Sequence, residues 1–200
     1  RDSSTSRGLG DVYKRQKLSP PIKHLFVWNS DIANCTPDSS NVRDGLKRKD
    51  LFTVVHDTFW TDSCMYADVV LPADTQLEHT DFHAPYGHYY FSLTQQAIKP
   101  LGESKSNQDL FRELAKHMGY KEKCFKESDE SMIKNMIDPK HNPLFKGVTY
   151  EKLKKNGWVK GDVNNPRRNY LKTGWPTKDK KIQIYSEDTK KIGLGAYPSY

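Results

Sequence analysis

The stretch LFTVVHDTFWTDSCMYADVVLPADTQLEHTD, residues 51–81, decides the fold. It contains two short apolar runs, Phe52–Val55 and Val69–Leu71, which are separated by the polar segment His56–Ser63. A short run that is rich in valine and bounded by turn residues predicts a buried strand. Pro72 ends the second run, because proline has no N–H to donate to a β-ladder. The predicted order is therefore strand, polar loop, short helix and strand.

A further strand and a helix are predicted before this stretch. The strand covers Lys23–Trp28, and the helix covers Asn41–Lys49 with Ser39, Ser40 or Asn41 as its cap. A strand, a helix and a second strand in succession form a right-handed crossover that places the two strands in parallel. The predicted fold class is therefore α/β, a parallel sheet with flanking helices.

Polar side chains follow the predicted strand that ends at Val55. In open α/β sheets, ligands bind outside the carboxyl ends of the strands, and His56 and Asp57 fall at such an end. A carboxylate there can accept hydrogen bonds from a nucleotide base or a ribose. Asp57 could equally cap the helix that follows, because Asp is a favoured N-cap residue. The residues alone leave both roles open.

Composition limits the function classes. The formal net charge is +7, but the lysines are interspersed with acidic residues and no nucleic-acid motif is present, so a solvated surface is predicted rather than a nucleic-acid partner. No apolar run of about 18 residues occurs, so no membrane span is predicted. The cysteines Cys35, Cys64 and Cys124 form no C-x-x-C motif, which argues against an iron–sulfur cluster or a structural zinc site. The compartment stays open.

Several blocks of residues occur together in one order and spacing. They are Asp57, Thr61–Ser63, Ala67–Pro72, Glu78 and the block Gln95–Asn107, which reads Gln-x-Ala-Ile-x-Pro-x-Gly-Glu-x-Lys-Ser-Asn. Together they resemble the molybdopterin oxidoreductase family of the dimethyl sulfoxide reductase type. Further matches continue toward the C-terminus, so that the resemblance covers about Lys23–Tyr200.

The resemblance implies a Rossmann-like parallel sheet and a division of the chain into three parts. Residues 1–16 are polar and without periodicity, resemble foreign read-through sequence at the end of a metagenomic contig, and are expected to be disordered. Residues 17–120 are expected to form part of the α/β domain that binds molybdopterin guanine dinucleotide. Residues 121–200 are expected to form a helical and irregular linker and a strand that lead to a C-terminal domain.

Local patterns predict the elements that follow the central stretch. Strands are predicted at 89–93, with a short continuation at 97–98, and at 181–185, and helices at 110–118, 128–137 and 150–155. Ser106 is the predicted cap of the first of these helices, and Gly119 ends it. Thr149 is the predicted cap of the third, which ends at Asn156 and Gly157. The side chains expected to face inward from the first two helices are Leu110, Phe111, Leu114, Ala115, Met118, Met132, Ile133, Met136 and Ile137.

The resemblance also implies a cofactor and its contacts. The cofactor is bis-molybdopterin guanine dinucleotide with molybdenum, and the implied contacts are Asp31, His56, Asp57, Thr61, Asp62, His79 and Asn107. Asp31 stands where the family usually has Asn, and an ionised Asp can only accept hydrogen bonds. Asn107 could cap its helix and contact the nucleotide as well. His79 and His83 would form a metal pair on a helix, but Pro85 and Gly87 predict a loop, so no metal ligand is predicted.

The implied function is that of a fragment of a molybdenum-dependent oxidoreductase, which moves two electrons, often with oxygen-atom transfer. The molybdenum ligand lies upstream in relatives, so no catalytic residue is predicted and the fragment is expected to be inactive alone. The expected partners are the pterin cofactor, a small redox substrate and an electron-transfer subunit. Two alternatives stay open. One is a nucleotide-binding module without redox chemistry. The other is a subunit-docking module, which predicts no cleft at the ends of the Trp28 and Val55 strands.

Overall fold

The structure, a computed structural model, describes residues 20–163, 170–171, 173–193 and 195–197. The chain forms two compact units that divide between Gly161 and Asp162. The stretch 1–16 lies outside the described residues. The predicted domain boundaries at residues 16 and 120 stay predictions.

A three-stranded parallel sheet opens the first unit. Its strands are β1 (His24–Trp28), β2 (Phe52–Asp57) and β3 (Val69–Pro72), and β2 lies in the middle. Helices α1 (Ile32–Cys35) and α2 (Ser39–Leu46) connect β1 to β2, and a 3₁₀ helix, Asp62–Tyr66, connects β2 to β3. The predicted α/β class, with a parallel sheet and flanking helices, is confirmed.

Helices cover both faces of this sheet. On one face, a buried cluster joins the strands to α1, α2 and the 3₁₀ helix, and it consists of Val27, Ile32, Ala33, Val42, Leu46, Val55 and Cys64. On the other face, helix α3 (Asn107–His117) packs through Phe111, whose ring centroid lies 5.3 Å from that of Phe26 and 5.7 Å from that of Trp28. Burial on both faces explains why β2 reads as an almost continuous apolar run.

A second, antiparallel sheet follows along the chain. Its strands are β4 (Asp81–His83), β5 (Tyr90–Thr94) and β6 (Trp158–Lys160), with β5 in the middle. Helices α4 (Asp129–Met136) and α5 (Tyr150–Asn156) and the 3₁₀ helices Lys123–Lys126 and Pro143–Phe145 lie between β5 and β6 in the sequence. The core of this part consists of Phe91, Leu93, Ile133, Ile137, Phe145, Val148, Tyr150 and Leu153.

The predicted helix caps are confirmed where they concern α3 and α5. The Ser106 hydroxyl accepts a hydrogen bond from the Asp109 N–H at 3.1 Å, and the Thr149 hydroxyl accepts one from the Lys152 N–H at 3.2 Å. Helix α5 ends at Gly157, whose φ of 78° is in the left-handed region that favours glycine. The cap of α2 differs from the prediction, because Asp38 occupies it instead of Ser39, Ser40 or Asn41.

Two predicted strand segments are wrong. The segment 181–185 forms no strand, and Ile182 and Ile184 are exposed, because no neighbouring strand among the described residues offers it a ladder. The segment 97–98 does not continue β5. The N–H groups of Ala97 and Ile98 instead donate to the carbonyl oxygen of Leu77. The second unit, 162–200, contains the short helix α6 (Glu187–Lys191), which Ser186 caps.

Two predicted apolar stripes are partly wrong as well. In α4, Ile133 and the following Ile137 are buried, but Met132 and Met136 are 41% and 47% exposed. In α3, Ala115 is buried, whereas Leu114 and Met118 are exposed. Helix α3 packs through a narrow strip, in which Ala115 is its one fully buried residue.

Within the described part of the chain, every helix is too short or too polar to cross a lipid bilayer.

Candidate cofactor-binding cleft

A polar cleft of about 590 Å³ lies at the carboxyl ends of the three parallel strands. Residues after β1, after β2 and after β3 line it, and α3 contributes its first two residues. The lining consists of Asn29, Ser30, Asp31, Asp57, Thr58, Phe59, Ala73, Asp74, Thr75, Gln76, His79, Asp81, Asn107 and Gln108. This is the edge of an open α/β sheet at which ligands bind.

Backbone hydrogen bonds bring the three loops of the cleft together. Asn29 has a φ of 50°, which turns the chain sharply after β1, and its N–H donates to the His56 carbonyl oxygen at 3.1 Å. The Ala73 N–H donates to the Asp57 carbonyl oxygen at 3.0 Å, and the Asp74 N–H donates to that of Lys105 at 3.1 Å. The last bond fixes the start of α3 beside the end of β3.

Asp31 joins the loop after β1 to the 3₁₀ helix after β2. Its Oδ1 accepts hydrogen bonds from the N–H of Ser63 at 3.1 Å and from its hydroxyl at 2.6 Å, while Oδ2 accepts one from Asn34 at 2.7 Å. Burial alone would raise the pKa of Asp31, but these hydrogen bonds and the nearby Arg43 outweigh burial and lower it. The Asp31 carboxylate is thus already engaged by the protein.

Asp57 is the last residue of β2. Its Oδ1 accepts a hydrogen bond from the N–H of Phe59 at 3.2 Å, which forms a local turn at the strand end. The Oδ2 atom makes no hydrogen bond to a residue that the structure describes. One carboxylate oxygen is therefore available on the lining of the cleft.

Asp74 and His79 form a side-chain pair in the loop after β3. The Nδ1 atom of His79 lies 2.9 Å from Oδ1 of Asp74, which is 8% exposed. Burial raises the pKa of Asp74, and the neighbouring His79 offsets that rise only in part. The pair sets the orientation of the His79 ring on the cleft wall.

Glu78 lies beneath this loop and supports it. One carboxylate oxygen accepts from the Thr75 N–H at 2.6 Å, and the other accepts from the Leu101 N–H at 2.7 Å. The hydrogen bonds from Thr75, with that from Leu101, lower the pKa of Glu78. Both oxygens serve the protein backbone, so the residue holds the loop and does not line the cleft.

His56 and Asn107 join the central strand to α3. His56 is fully buried below the cleft, and its Nδ1 atom lies 3.0 Å from Oδ1 of Asn107. Asn107 itself lines the cleft.

Thr61 and Asp62 lie apart from the cleft lining. The Thr61 hydroxyl lies 3.6 Å from the Cys64 sulfur, and Asp62 forms an exposed ion pair with Arg43 at 3.3 Å. Of the seven contacts predicted from the sequence, Asp31, Asp57, His79 and Asn107 therefore line one cleft. The assignment of all seven as cofactor contacts stays a prediction.

Sequence reasoning left out several residues of the lining. Asn29 directly follows β1, and Asp74 and Asp81 lie after β3. A usable signal was present for Asn29 and Asp74, since each comes within two residues of the end of a parallel strand. Gln108 gave no such signal, because only the packing of α3 brings it to the sheet edge.

His83 does not join His79 in a metal site. The His83 Nε2 atom lies 2.9 Å from the Thr94 hydroxyl within the second sheet, whereas His79 pairs with Asp74. Among the residues that the structure describes, no group of three or more His, Cys, Asp or Glu side chains could hold a metal ion.

Comparisons with known proteins show which family this chain resembles. A sequence model of the molybdopterin oxidoreductase family matches residues 9–117. The chain is 42% identical over 184 residues to "Probable oxidoreductase YoaE" of Bacillus subtilis, which covers 92% of this chain and 27% of that protein. It is 34% identical over 146 residues to the F420-dependent formate dehydrogenase subunit alpha of Methanocaldococcus jannaschii, covering 72% and 21%.

A solved structure shares the fold. The acetylene hydratase from Pelobacter acetylenicus superposes with a TM-score of 0.70 at 25% sequence identity, and the match covers 96% of this chain and 25% of that one. The chain thus spans about a quarter of the length of these relatives. From the family match, which includes the parallel sheet and all of α3, it follows that this chain belongs to the molybdopterin oxidoreductase family.

Proposed function

We propose that the cleft binds the guanosine end of a bis-molybdopterin guanine dinucleotide cofactor that carries molybdenum. The chain would do so as one part of a longer oxidoreductase that performs two-electron chemistry, often with oxygen-atom transfer. The family itself implies a molybdenum and pterin cofactor. The guanine dinucleotide form and the place of binding are the parts proposed here.

The chemistry of the cleft lining supports a ligand rich in hydrogen-bond donors. Guanine presents two adjacent donors, N1–H and the N2 amino group, and a ribose presents two hydroxyl groups. A carboxylate can accept such a pair of donors in a bidentate manner. Oδ2 of Asp57 is one acceptor on the lining, and the Asp81 carboxylate, whose Oδ1 also accepts from the Phe82 N–H at 2.8 Å, is a second. The single observation that carries the proposal is this acceptor-rich cleft at the strand ends.

Charge indicates which part of the cofactor would lie here. Four aspartates line the cleft, Asp31, Asp57, Asp74 and Asp81, against one imidazole, that of His79. An anionic pyrophosphate would be repelled by this lining, whereas a neutral base and its ribose would not.

When bound, the pterin and its metal would supply the redox chemistry. The residues of this chain would bind and orient the nucleotide end, and we assign none of them a catalytic role. Cys64 is buried in the core of the parallel sheet, and Cys35 lies at the end of α1, so neither lies on the cleft lining. A small redox substrate and an electron-transfer subunit are proposed partners of the longer protein. The formate dehydrogenase relative is named as one subunit of its enzyme.

The cleft bears on the two alternatives in different ways. A module that only docks subunits predicts no cleft at the ends of β1 and β2, so the cleft favours a binding role. A module that binds a nucleotide without redox chemistry predicts the same cleft. Molybdenum in the longer protein separates that alternative from the proposal.

The test measures nucleotide binding by the purified chain with isothermal titration calorimetry. GMP should bind more tightly than AMP, and Asp57→Asn should weaken GMP binding about tenfold, because one charged hydrogen bond is lost. Asp44→Asn is the matched control, since Asp44 is an exposed carboxylate on α2 that pairs with Lys47 away from the cleft. Equal weakening by both variants, or no preference for GMP, would refute the assignment of the cleft.

A further inference from the structure

The pair formed by His56 and Asn107 has one unusual feature. His56 is fully buried in β2, and its Nδ1 atom makes the 3.0 Å contact with Oδ1 of Asn107, a residue 51 positions away. The other ring nitrogen, Nε2, is buried without a hydrogen-bond partner among the described residues. Among the described residues, the contact with Asn107 is therefore the one hydrogen bond of this imidazole.

The unpartnered Nε2 atom indicates which nitrogen carries the proton. In a neutral imidazole one nitrogen is a donor and the other an acceptor. A buried N–H without a partner is rarer in folded proteins than an acceptor that lacks one. The proton is therefore better placed on Nδ1, where the N–H donates to Asn107. On Nε2 the N–H would be buried without an acceptor.

This choice of tautomer also fixes the side-chain amide of Asn107. When Nδ1–H donates to Oδ1, the amide cannot turn over without placing its own N–H₂ group against that donor. The N–H₂ group is then left for the cleft that Asn107 lines. It is a fixed donor in a cleft that four aspartates line.

A fixed donor of this kind distinguishes the two purines. Guanine carries an acceptor, O6, at the position where adenine carries the N6 amino donor. An amide that can turn over would accept from adenine as readily as it would donate to guanine. An amide locked with its N–H₂ group toward the ligand would favour guanine.

We infer that His56 is a positioning residue, which locks the Asn107 amide in its donor orientation and thereby makes the cleft prefer guanine over adenine nucleotides. This inference rests on the proposed function for the site and on the direction of the Asn107 amide. His56 itself touches no ligand, because it is fully buried.

Two His56 variants separate positioning from packing. His56→Leu fills a similar volume without a donor, and it should lower the ratio of GMP to AMP affinity about tenfold. His56→Asn leaves a cavity, but its Nδ2 donor lies near the former Nδ1 position, so it should keep the ratio within about threefold of wild type while losing stability. A packing role alone predicts the opposite order. Thr53→Val is the matched control, since Thr53 is equally buried on the same strand and should leave the ratio unchanged.

Nitrogen NMR of the full chain, labelled in its histidines, provides a readout that does not depend on nucleotides. The His56 ring should show a protonated Nδ1 and a bare Nε2, and a protonated Nε2 would overturn the inference. If wild type prefers GMP and His56→Leu retains that preference, the inference fails while the proposed function stands. If wild type shows no preference for GMP, the proposed function fails, and the selectivity assigned to His56 fails with it.

Discussion

Asp31 lies on the cleft lining and was predicted from the sequence to contact the cofactor, but its carboxylate is bound by the protein itself. Replacement of Asp31 by alanine should therefore destabilise the first unit strongly. The variant removes three hydrogen bonds to one carboxylate, two from Ser63 and one from Asn34. Ser63 is 1% exposed, so water cannot fully replace the acceptor that it loses. Hydrogen bonds to a charged group contribute about 1.5–3 kcal/mol each when buried and less when exposed, so Asp31→Ala should cost about 3 kcal/mol.

The assay is urea unfolding followed by circular dichroism. With an m-value of about 2 kcal/mol/M, a loss of 3 kcal/mol lowers the midpoint by about 1.5 M. Asp31→Asn is the matched variant, because its amide oxygen can still accept from Ser63 while its N–H₂ group meets the donor of Asn34. It should cost about 1 kcal/mol. A urea midpoint for Asp31→Ala within about 0.3 M of wild type would refute a stabilising role for the hydrogen bonds from Ser63 and Asn34 to Asp31, here called the Asp31 clamp.

The dependence on pH gives a second check of the same clamp. The folded pKa of Asp31 is lowered below 3.8, so its carboxylate stabilises the fold above that pH, and the contribution is lost as the pH falls through the folded pKa. The difference between wild type and Asp31→Ala should therefore be full near neutrality and shrink below about pH 3.8. A difference that stays constant down to pH 2 would contradict an ionised acceptor.

Three further predictions follow from individual contacts. Leu153→Ala should cost about 2–5 kcal/mol, because Leu153 is fully buried in the core of the antiparallel sheet, and urea unfolding with the exposed Leu101→Ala as control would measure it. Thr53→Val should raise the free energy of unfolding by about 0.5–1 kcal/mol, since the buried Thr53 hydroxyl has no partner among the described residues, and an unchanged or lower melting temperature would contradict this. Asp57→Ala in the longer protein should lower the molybdenum and the released guanine nucleotide per chain, as measured by elemental analysis and chromatography after acid release, whereas normal contents would exclude Asp57 as a contact.

Local patterns predicted those elements whose cause is local. The valine-rich run before His56 gave the central strand, although the strand extends through Asp57 instead of ending at Val55. Ser106 and Thr149 gave helix starts, because a hydroxyl at an N-cap satisfies an N–H only three residues away. The segment 181–185 has an equally clear alternating pattern, yet it forms no strand, since a strand also needs a neighbour that its own residues cannot supply.

The cleft depended on contacts between distant residues. The sequence placed His56 and Asp57 at one strand end. It did not show that Asp57 lines the cleft while His56 is buried beneath it. The two side chains differ because successive residues of a strand point to opposite faces. It likewise gave no reason for Asp31 to clamp Ser63, 32 residues away.

The sequence by itself determined the family, the α/β class and the parallel direction of the first two strands, because these follow from runs, caps and spacings along the chain. Only the tertiary structure decided which polar groups are engaged by the protein and which are left for a ligand. The reason is physical: a hydrogen bond between side chains depends on the distance and direction between two elements, as for His56 and Asn107, and neither is encoded in the residues near one partner alone.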